Sequence, residues 1–256
     1  MKKIAFFGMG FLFSLAFVQA AESRETLTLP ASGLKALAID CGAGSLKVQG
    51  REGLERIEIA ATLRLSGAGE AELRDFRKER VTLKIEKIGS KAVLTARIDD
   101  SFSLDKLFAS KNAAIDLDVS LPRDLDLDVE DGSGDLAIRD IGGRLDLEDG
   151  SGDILVERIA GAAEIEDGSG DMVVSSLGGD LEIEDGSGDL KIEDVGGAIV
   201  IEDGSGSIDL REAVGPVAID DGSGDIVIDG VEKDVTIEEA GSGGLEIRNV
   251  KGRVRK

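Results

Sequence analysis

Residues 163–190 read AEIEDGSGDMVVSSLGGDLEIEDGSGDL, and this stretch contains the element that organises the chain, the tetrapeptide Asp-Gly-Ser-Gly. The tetrapeptide recurs every 18 residues, beginning at Asp131, Asp149, Asp167, Asp185, Asp203 and Asp221. A seventh, degenerate copy begins one residue late, at Ala240. A fixed period of this kind is typical of solenoids, in which each repeat buries its apolar face only against its neighbours.

Apolar and polar residues alternate within each repeat, as expected for strands that bury one face. One apolar column in the first strand is Leu136, Ile154, Met172, Leu190, Ile208, Ile226 and Leu245. The second strand begins nine residues later, with the column Leu145, Ala163, Leu181, Ile199, Val217 and Val235. A hexapeptide helix would need an apolar residue every six positions, but Gly142 and Glu148 follow Leu136 at those intervals. The sequence therefore predicts an all-β parallel β-solenoid with two strands and two corners per 18-residue coil.

Glycines mark both predicted corners of each coil. Gly-Ser-Gly follows the second strand, and pairs such as Gly142-Gly143 and Gly178-Gly179 follow the first. We expect these glycines to supply the positive φ angles that tight corners need. A further apolar column is expected to fill one bend: Ile141, Ile159, Leu177, Val195, Ala213 and Val231.

The sequence before the array has a looser form of the same pattern. Strands are expected within residues 36–48, from residue 57 onward, and over 81–87, 93–98 and 115–121. Residues 68–80 are predicted to be helical or irregular. Residues 99–111 are predicted to form an amphipathic turn or short helix that covers one side of the solenoid.

We predict one continuous structure without a linker, divided into three parts. Residues 1–20 are a signal peptide, and residues 21–128 are a less regular, β-rich N-terminal part of the solenoid. Residues 129–256 are the regular repeat array, which ends in a short basic segment.

Residues 1–20 read MKKIAFFGMGFLFSLAFVQA and have the three parts of a secretory signal peptide. Two lysines are followed by an apolar stretch and, at residues 18–20, by a small-residue cleavage pattern. A retained membrane anchor is disfavoured because the apolar stretch is short for a bilayer span. We predict export of the remaining 256 − 20 = 236 residues to the periplasm or the medium, with no transmembrane span in the mature chain.

The composition excludes several classes of function. The chain has no His and one Cys, which excludes catalytic triads, histidine–zinc sites, internal disulfides and thiolate clusters. The 52 acidic residues exceed the 30 basic ones, so the formal charge is −22, the wrong sign for binding nucleic acid. Residues 129–240 hold 32 acidic and 6 basic residues, a net charge of −26, whereas residues 241–256 carry a net charge of +4.

Stacked acidic residues at the Asp-Gly-Ser-Gly corner are the one candidate site. The aspartates that begin the tetrapeptides form one column, and their neighbours form a second: Glu130, Glu148, Glu166, Glu184, Glu202 and Asp220. The favoured interpretation is that each Asp caps its own turn and each Glu faces solvent. The alternative is cation binding, with calcium as the ion expected outside the cell. Its candidate ligands are Asp131, Asp149, Asp167, Asp185, Asp203 and Asp221.

The calcium rolls of repeat-in-toxin proteins also have coils of two nine-residue units, but their motif is Gly-Gly-x-Gly-x-Asp-x-apolar-x. Here Asp135 follows Gly134 directly, so the spacing of the ligands differs. We predict no catalytic residue and no other cofactor. Cys41 is expected to be a small buried residue beside a glycine corner.

Residues 119–138, VSLPRDLDLDVEDGSGDLAI, resemble the bacterial "putative adhesin" family of domains of unknown function. In that family a strand ending in Leu-Pro leads into alternating strands and repeated Ser-Gly-Asp corners. The resemblance covers about residues 34–250 and implies an exported or surface-associated β-solenoid without catalytic residues. The present repeat is more regular and more acidic than the family pattern.

Three functional hypotheses follow. The first is an exported, non-enzymatic, adhesin-like structural or interaction module of the cell envelope, with an unidentified envelope or surface partner. The second is a calcium-responsive binding protein, and the third, least favoured, is a polysaccharide-acting β-helix enzyme. The chain is expected to be a monomer or to self-associate weakly end to end, without nucleic-acid binding.

Overall fold

A computed structural model describes residues 21–99 and 112–256. The signal peptide predicted over residues 1–20 and most of the amphipathic segment predicted over residues 99–111 lie outside the described residues. Within them, the chain is almost entirely β, with a single helix, and it forms the parallel β-solenoid that the repeat predicts.

The N-terminal part contains seven strands and the helix. They are β1 (Ala21–Pro30), β2 (Ala36–Cys41), β3 (Leu46–Arg51), β4 (Arg56–Leu65), α1 (Glu70–Arg80), β5 (Val81–Ile88), β6 (Lys91–Ile98) and β7 (Ala113–Pro122).

The array alternates strands between two sheets. One sheet, named sheet A, receives β9 (Leu136–Arg139), β11 (Ile154–Ile159), β13 (Met172–Leu177), β15 (Leu190–Val195), β17 (Ile208–Ala213), β19 (Ile226–Val231) and β21 (Leu245–Val250). The other, named sheet B, receives β8 (Asp126–Asp131), β10 (Leu145–Asp149), β12 (Ala163–Asp167), β14 (Leu181–Asp185), β16 (Ile199–Asp203), β18 (Val217–Asp221), β20 (Val235–Ala240) and β22 (Val254–Arg255).

Within each sheet, neighbouring array strands pair in parallel, with residues 18 positions apart opposite one another. Asp149, for example, pairs with Asp167, which in turn pairs with Asp185. Neighbouring strands of a sheet lie about 4.8 Å apart, so each column of the sequence becomes a straight row of side chains. The period is broken between Ile219 and Asp220, where a bulge in the pairing accommodates the extra residue of the degenerate last repeat.

The N-terminal strands do not stack in sequence order. In sheet A the order is β1-β4-β7-β3-β9, and in sheet B it is β5-β6-β2-β8. The coil formed by β2 and β3 therefore lies between the later coil of β6 and β7 on one side and the array on the other. The outermost strands β1, β4 and β5 pair antiparallel, which ends the parallel stack at this side.

Helix α1 packs beside these antiparallel strands and confirms the prediction for residues 68–80. Acidic residues lie in its first turn and basic ones in its last, as the helix dipole favours, and Leu73 is its buried residue. Arg77 donates hydrogen bonds to both carboxylate oxygens of Glu25 on β1, one of them over 2.8 Å. The helix thereby covers the N-terminal end of the solenoid.

The core is a continuous apolar stack between the two sheets. The predicted inward columns are buried, with Ile183 in the middle of the array fully enclosed, although Leu245 and Ile247 in the last coil are only half-buried. The predicted bend column, from Ile141 to Val231, is also buried. Each fully buried aliphatic side chain contributes about 1.5–3 kcal/mol, so the array needs no disulfide.

The reason for the corner glycines is partly different from the one we expect from sequence. The second glycine of each of the six Asp-Gly-Ser-Gly corners does have a positive φ, +143° at Gly170, and a Cβ there would overlap the carbonyl oxygen of Gly152. At the opposite corner Gly178 and Gly179 do not have positive φ, and a Cβ would instead lie 2.6–2.7 Å from the backbone of the preceding coil. The positive φ at that corner falls on polar residues such as Asp140 and Ser176, with φ of 60° and 56°.

Candidate functional site

A shallow groove of about 800 Å³ runs along the Asp-Gly-Ser-Gly corner of the array. It is lined by the acidic pairs and first glycines of successive coils, from Glu130 and Asp131 to Asp220 and Gly222. The groove has the same chemistry on every coil. It therefore presents a repeated acidic surface, which we call the corner groove.

Two columns of carboxylates meet at this groove from opposite faces of sheet B. The inner column is the set of predicted metal ligands, Asp131, Asp149, Asp167, Asp185, Asp203 and Asp221. The outer column is Glu130, Glu148, Glu166, Glu184, Glu202 and Asp220. Adjacent residues of a strand point to opposite faces, so the outer column is exposed while the inner column is 0–7% exposed.

One oxygen of most inner carboxylates caps the turn that follows it. Oδ1 of Asp167, Asp185, Asp203 and Asp221 accepts a hydrogen bond from the backbone N–H of the Ser two residues later, over 3.0–3.2 Å. This is the turn chemistry that we favour from the sequence. At Asp149 neither carboxylate oxygen accepts a hydrogen bond of normal geometry.

The second oxygen of every inner carboxylate has no partner. Oδ2 of all six aspartates is buried without a hydrogen bond, and at Asp149 Oδ1 is unpartnered as well. Burial, followed by repulsion from the aspartates one coil away, raises the pKa of Asp149 to about 6 and that of Asp185 to about 7. The pKa of Asp203 is raised to about 6, again mainly by burial.

Neutral residues close the inner column at both ends. On β2 the position of the column is occupied by Cys41, whose Sγ lies 3.3 Å from Oδ1 of Asp131. Cys41 is buried, as predicted, and this burial, followed by the nearby Asp131, raises the pKa of its thiol. At the other end Ala240 pairs with Asp221. The column is thus a row of six stacked carboxyl groups within the solenoid.

The members of the outer column are exposed and repel one another. Glu184, and then desolvation and Glu148, raise the pKa of Glu166. Glu130 is neutralised by Arg97, 2.8 Å away. Among the residues that the structure describes, no basic side chain forms an ion pair with Glu148, Glu166, Glu184 or Glu202.

A third set of aspartates follows the Gly-Ser-Gly and links one coil to the next. Oδ1 of Asp153 accepts the backbone N–H of Asp171, over 3.2 Å, and Oδ1 of Asp171 accepts that of Asp189, over 3.1 Å. Oδ1 of Asp225 accepts the N–H of Gly244, over 2.7 Å. Asp126 and Asp180 make equivalent bonds at the opposite corner. These exposed carboxylates are accounted for by backbone capping.

The two outward faces of the array differ in charge. Sheet B presents the outer column together with Asp146, Glu164 and Glu182, so from β10 to β14 every outward residue is acidic. Sheet A presents a mixture of apolar, acidic and basic residues: Ala137, Arg139, Leu155, Glu157, Val173, Ser175, Lys191, Glu193, Asp209 and Arg211. The acidity of the array is therefore concentrated on one side.

Within residues 21–99 and 112–256, no group of three or more acidic or thiol side chains has the arrangement of a metal site. The structure thus brings the six predicted aspartates together in one row but turns them away from solvent. The calcium interpretation remains a prediction. The exposed carboxylates nearest to the inner column are those of the outer column.

The burial of the inner column is the feature that the sequence interpretation missed. Its signal is present in the sequence, because Asp149 follows Leu145 and Leu147 at intervals of two and is therefore in phase with inward residues. The outward placement of Glu148 follows from the same alternation. The glycine after each Asp obscures this alternation, because it marks the start of a corner, where a side chain need not follow the inward and outward pattern of the strand.

No protein-family model and no curated protein matches the sequence. Solved structures do match. A "putative cell adhesion protein" from Clostridium sporogenes ATCC 15579 is 14% identical, with a TM-score of 0.37, over 92% of this chain and 100% of that one. A "putative adhesin" from Bacteroides fragilis NCTC 9343 is 11% identical, with a TM-score of 0.44, over 91% and 96%.

A third similar structure is a "putative lipid binding protein" from Parabacteroides distasonis ATCC 8503, 12% identical with a TM-score of 0.45, over 91% of this chain and 96% of that one. At 11–14% identity, these structures are similar to the chain in fold alone.

Within residues 21–99 and 112–256, no helix is long and apolar enough to cross a membrane.

Proposed function

We propose that this protein is an exported, non-enzymatic β-solenoid that acts as an adhesin-like interaction module of the cell envelope. The observation that carries this proposal is the acidic outward face of sheet B, on which every outward residue from β10 to β14 is acidic. Its carboxylates repeat at about 4.8 Å along the solenoid axis, and most have no basic partner among the described residues. Such a face suits multivalent contact with an extended, cationic partner surface.

The repetition itself supports an interaction role over catalysis. An active site needs a small set of different groups that converge on one substrate position. The corner groove instead offers the same Glu-Asp-Gly surface on successive coils. A carboxylate pair can be chosen at any coil, so no pair is distinguished as an acid and base.

Export is supported by the sequence of residues 1–20. Their positive start, apolar stretch and cleavage pattern are those of a signal peptide. Expression of the full chain in a Gram-negative host should yield a mature protein that begins at Ala21. Fractionation into cytoplasm, periplasm, membranes and medium, with N-terminal sequencing, tests this step. A cytoplasmic protein that retains residues 1–20 would contradict it.

The interaction role is tested with beads that carry the mature protein. We expect strong retention on surfaces coated with polylysine and weak retention on phosphatidylglycerol bilayers. Retention on polylysine should decrease as salt is added. Replacing Glu148, Glu166, Glu184 and Glu202 by Gln should abolish most of this retention. The matched control removes four charges from sheet A, by Glu157→Gln, Glu193→Gln, Asp209→Asn and Asp229→Asn, and should retain it. Equal loss in both variants would show that total charge, and not this face, is responsible.

A second candidate function is calcium-responsive binding, and one observation favours it. The pKa of Glu166 is raised by Glu184 and Glu148, so a divalent cation shared between coils would relieve repulsion on the outer column. Calorimetric titration of the mature protein with calcium tests this. Heat that saturates, and that is lost in the four-fold Gln variant but kept in the sheet A control, would support it.

A further inference from the structure

The outward face of sheet B changes in character halfway along the array. On β10, β12 and β14 the first outward residue of the strand is acidic: Asp146, Glu164 and Glu182. On β16 and β18 the equivalent residues are Val200 and Ala218. The outer column beside them is acidic on all five strands. From β16 onward, the face therefore keeps one acidic row and replaces the other by apolar residues.

The two apolar residues belong to a larger exposed patch, which we call the apolar strip. It consists of Ala198, Val200, Val214, Pro216 and Ala218. Val200 is 40% exposed and Val214 is 53% exposed. Among the described residues, the other exposed large hydrophobic side chains are Ile88 and Val254, on the edge strands β5 and β22 of the same sheet. The apolar strip is thus an exposed apolar surface in the middle of the array, where the packing of the core does not require one.

The strip is contiguous because its members share one face of adjacent coils. Ala198 and Val200 alternate outward along one coil, and Pro216 and Ala218 do so along the next. The backbone N–H of Ile199 donates to the carbonyl oxygen of Pro216 over 2.9 Å, and Val200 pairs with Ala218. Neighbouring strands lie about 4.8 Å apart, so these four side chains form one block.

A shallow depression of about 390 Å³ adjoins the strip on the side of the earlier coils. Ala198 and Val200 contribute apolar surface to it, and Glu164 and Glu182 contribute carboxylates. Glu164 is paired with Arg144 over 2.5 Å, but no described basic side chain forms an ion pair with Glu182. A Lys or Arg side chain suits such a place, because its aliphatic part covers apolar surface while its charge reaches a carboxylate.

We infer that this part of sheet B binds a cationic amphipathic helix, whose apolar side chains pack on the apolar strip and whose Lys or Arg side chains contact the outer column. The inference rests on the proposed interaction role and narrows its partner from any cationic surface to an amphipathic one. Glu184, Glu202 and Asp220 would face the basic side chains.

The spacing of the two rows favours a helix over an extended segment. The apolar row and the acidic row are two residues apart along the strands, which is about 6.6 Å. Neighbouring side chains on a helix surface are about 5–6 Å apart, so a helix that lies along the solenoid axis can present an apolar row and a basic row side by side. An extended segment in the same direction turns alternate residues away and presents one row.

Charge disfavours the other occupants of an exposed apolar surface. An anionic bilayer would be repelled by the carboxylates beside the strip. A second copy of the chain would bring its own array of net charge −26 over residues 129–240 against them. A cationic helix is attracted by the acidic row and buries the apolar one.

The first test compares two labelled peptides by fluorescence anisotropy with the mature protein. One is a synthetic Lys/Leu peptide patterned as an amphipathic helix, and the other is an oligolysine of equal charge. We expect the Lys/Leu peptide to bind at least about tenfold more tightly. Equal affinities would contradict the inference and leave the proposed function intact. Binding of neither peptide would contradict the proposed function itself.

The second test removes apolar surface without changing charge, by Val200→Thr with Val214→Thr. We expect the affinity for the Lys/Leu peptide to fall about tenfold and that for oligolysine to stay unchanged. The matched control, Val173→Thr with Val227→Thr on the outward face of sheet A, should leave both affinities unchanged. Equal weakening by the two variants would overturn the inference. Circular dichroism verifies that both variants fold.

The third test continues the acidic row across the strip, by Val200→Glu with Ala218→Glu. If charge alone governs binding, both peptides bind this variant more tightly. We expect tighter binding of oligolysine but weaker binding of the Lys/Leu peptide, since its leucines would have to bury carboxylates. Tighter binding of both would overturn the inference. So would retention on neutral phosphatidylcholine vesicles, or dimers in light scattering, that the Val200→Thr and Val214→Thr variant loses, because the strip would then bind lipid or a second copy.

Discussion

Strand β14 is five residues long and contains two kinds of carboxylate that differ only in the face to which they point. Glu184 is exposed and repels its neighbours through water, whereas the adjacent Asp185 is 5% exposed and has a pKa raised to about 7. Leu181 and Ile183 share the inward face with Asp185. The comparison shows that the position of a residue in the pleat, and not its chemical class, determines what it does in this solenoid.

The largest effect should come from placing a charge on the inward face away from the corner. Ile183→Asp buries a carboxylate between two sheets without a turn N–H to accept, and we expect at least about 4 kcal/mol of destabilisation or failure to fold. Glu182→Ser on the outward face should stay within about 0.5 kcal/mol. Urea unfolding of both variants measures the contrast. Equal stability would contradict the inward and outward assignment.

The second-largest loss of stability is expected from replacing a corner glycine. Gly170 combines a φ of +143° with a Cβ position that overlaps the Gly152 carbonyl oxygen, so Gly170→Ala must strain the turn and separate two coils. We expect a loss of about 3 kcal/mol. Gly69→Ala is the control, because a Cβ at Gly69 meets nothing within 4 Å. A small effect at Gly170 would mean that the coils can move apart at little cost.

The array was predictable from sequence because its pattern is strictly local. The spacing of 18 residues and the alternation through Leu136 and Ile138 fix the number of strands, their inward faces and their neighbours. In the N-terminal part the same alternation appears in β2 and β6, but it does not specify which strand lies beside which. The out-of-order stacking depends on pairings such as Leu37 with Ala92, which are distant in sequence and have no signature of their own.

The sequence predicted which residues form the candidate site but not that their side chains are buried. The six aspartates were identified by the repeat, and the phase that places Asp149 inward can also be read from the sequence. Burying a row of carboxylates is nevertheless unfavourable in general, so the sequence favours solvent-facing turns. Only the paired strands of the structure show that the row continues without a basic residue between coils.

The basic segment at the end of the array is predicted to protect the last coil from association with other molecules. The last coil leaves Leu245 and Ile247 half-buried and Val254 43% exposed, beside a terminal segment rich in Lys and Arg. Lys251 bonds Glu232 over 2.6 Å, and Arg248 pairs with Glu246. Deleting residues 248–256 should expose strand edges and promote association, measured by light scattering. Unchanged monomeric scattering would identify this segment as a dispensable tail.

The smallest expected effect concerns the outer column and completes the comparison with the inner one. Added salt should stabilise the mature protein slightly, because screening reduces repulsion between exposed carboxylates about 4.8 Å apart, which is about 0.9 kcal/mol per pair in water before screening. If the ions act only by screening, sodium and calcium at equal ionic strength shift the Tm alike. If calcium binds oxygens of adjacent coils, it stabilises more, since it binds the folded array preferentially.

We expect calcium to raise the Tm by a degree or two at most relative to sodium, measured by circular dichroism because the chain has no Trp or Tyr. The loss of that advantage in Glu166→Gln with Glu184→Gln, but not in Asp167→Asn with Asp185→Asn, would assign it to the exposed face. The reverse pattern would place calcium in the inner column.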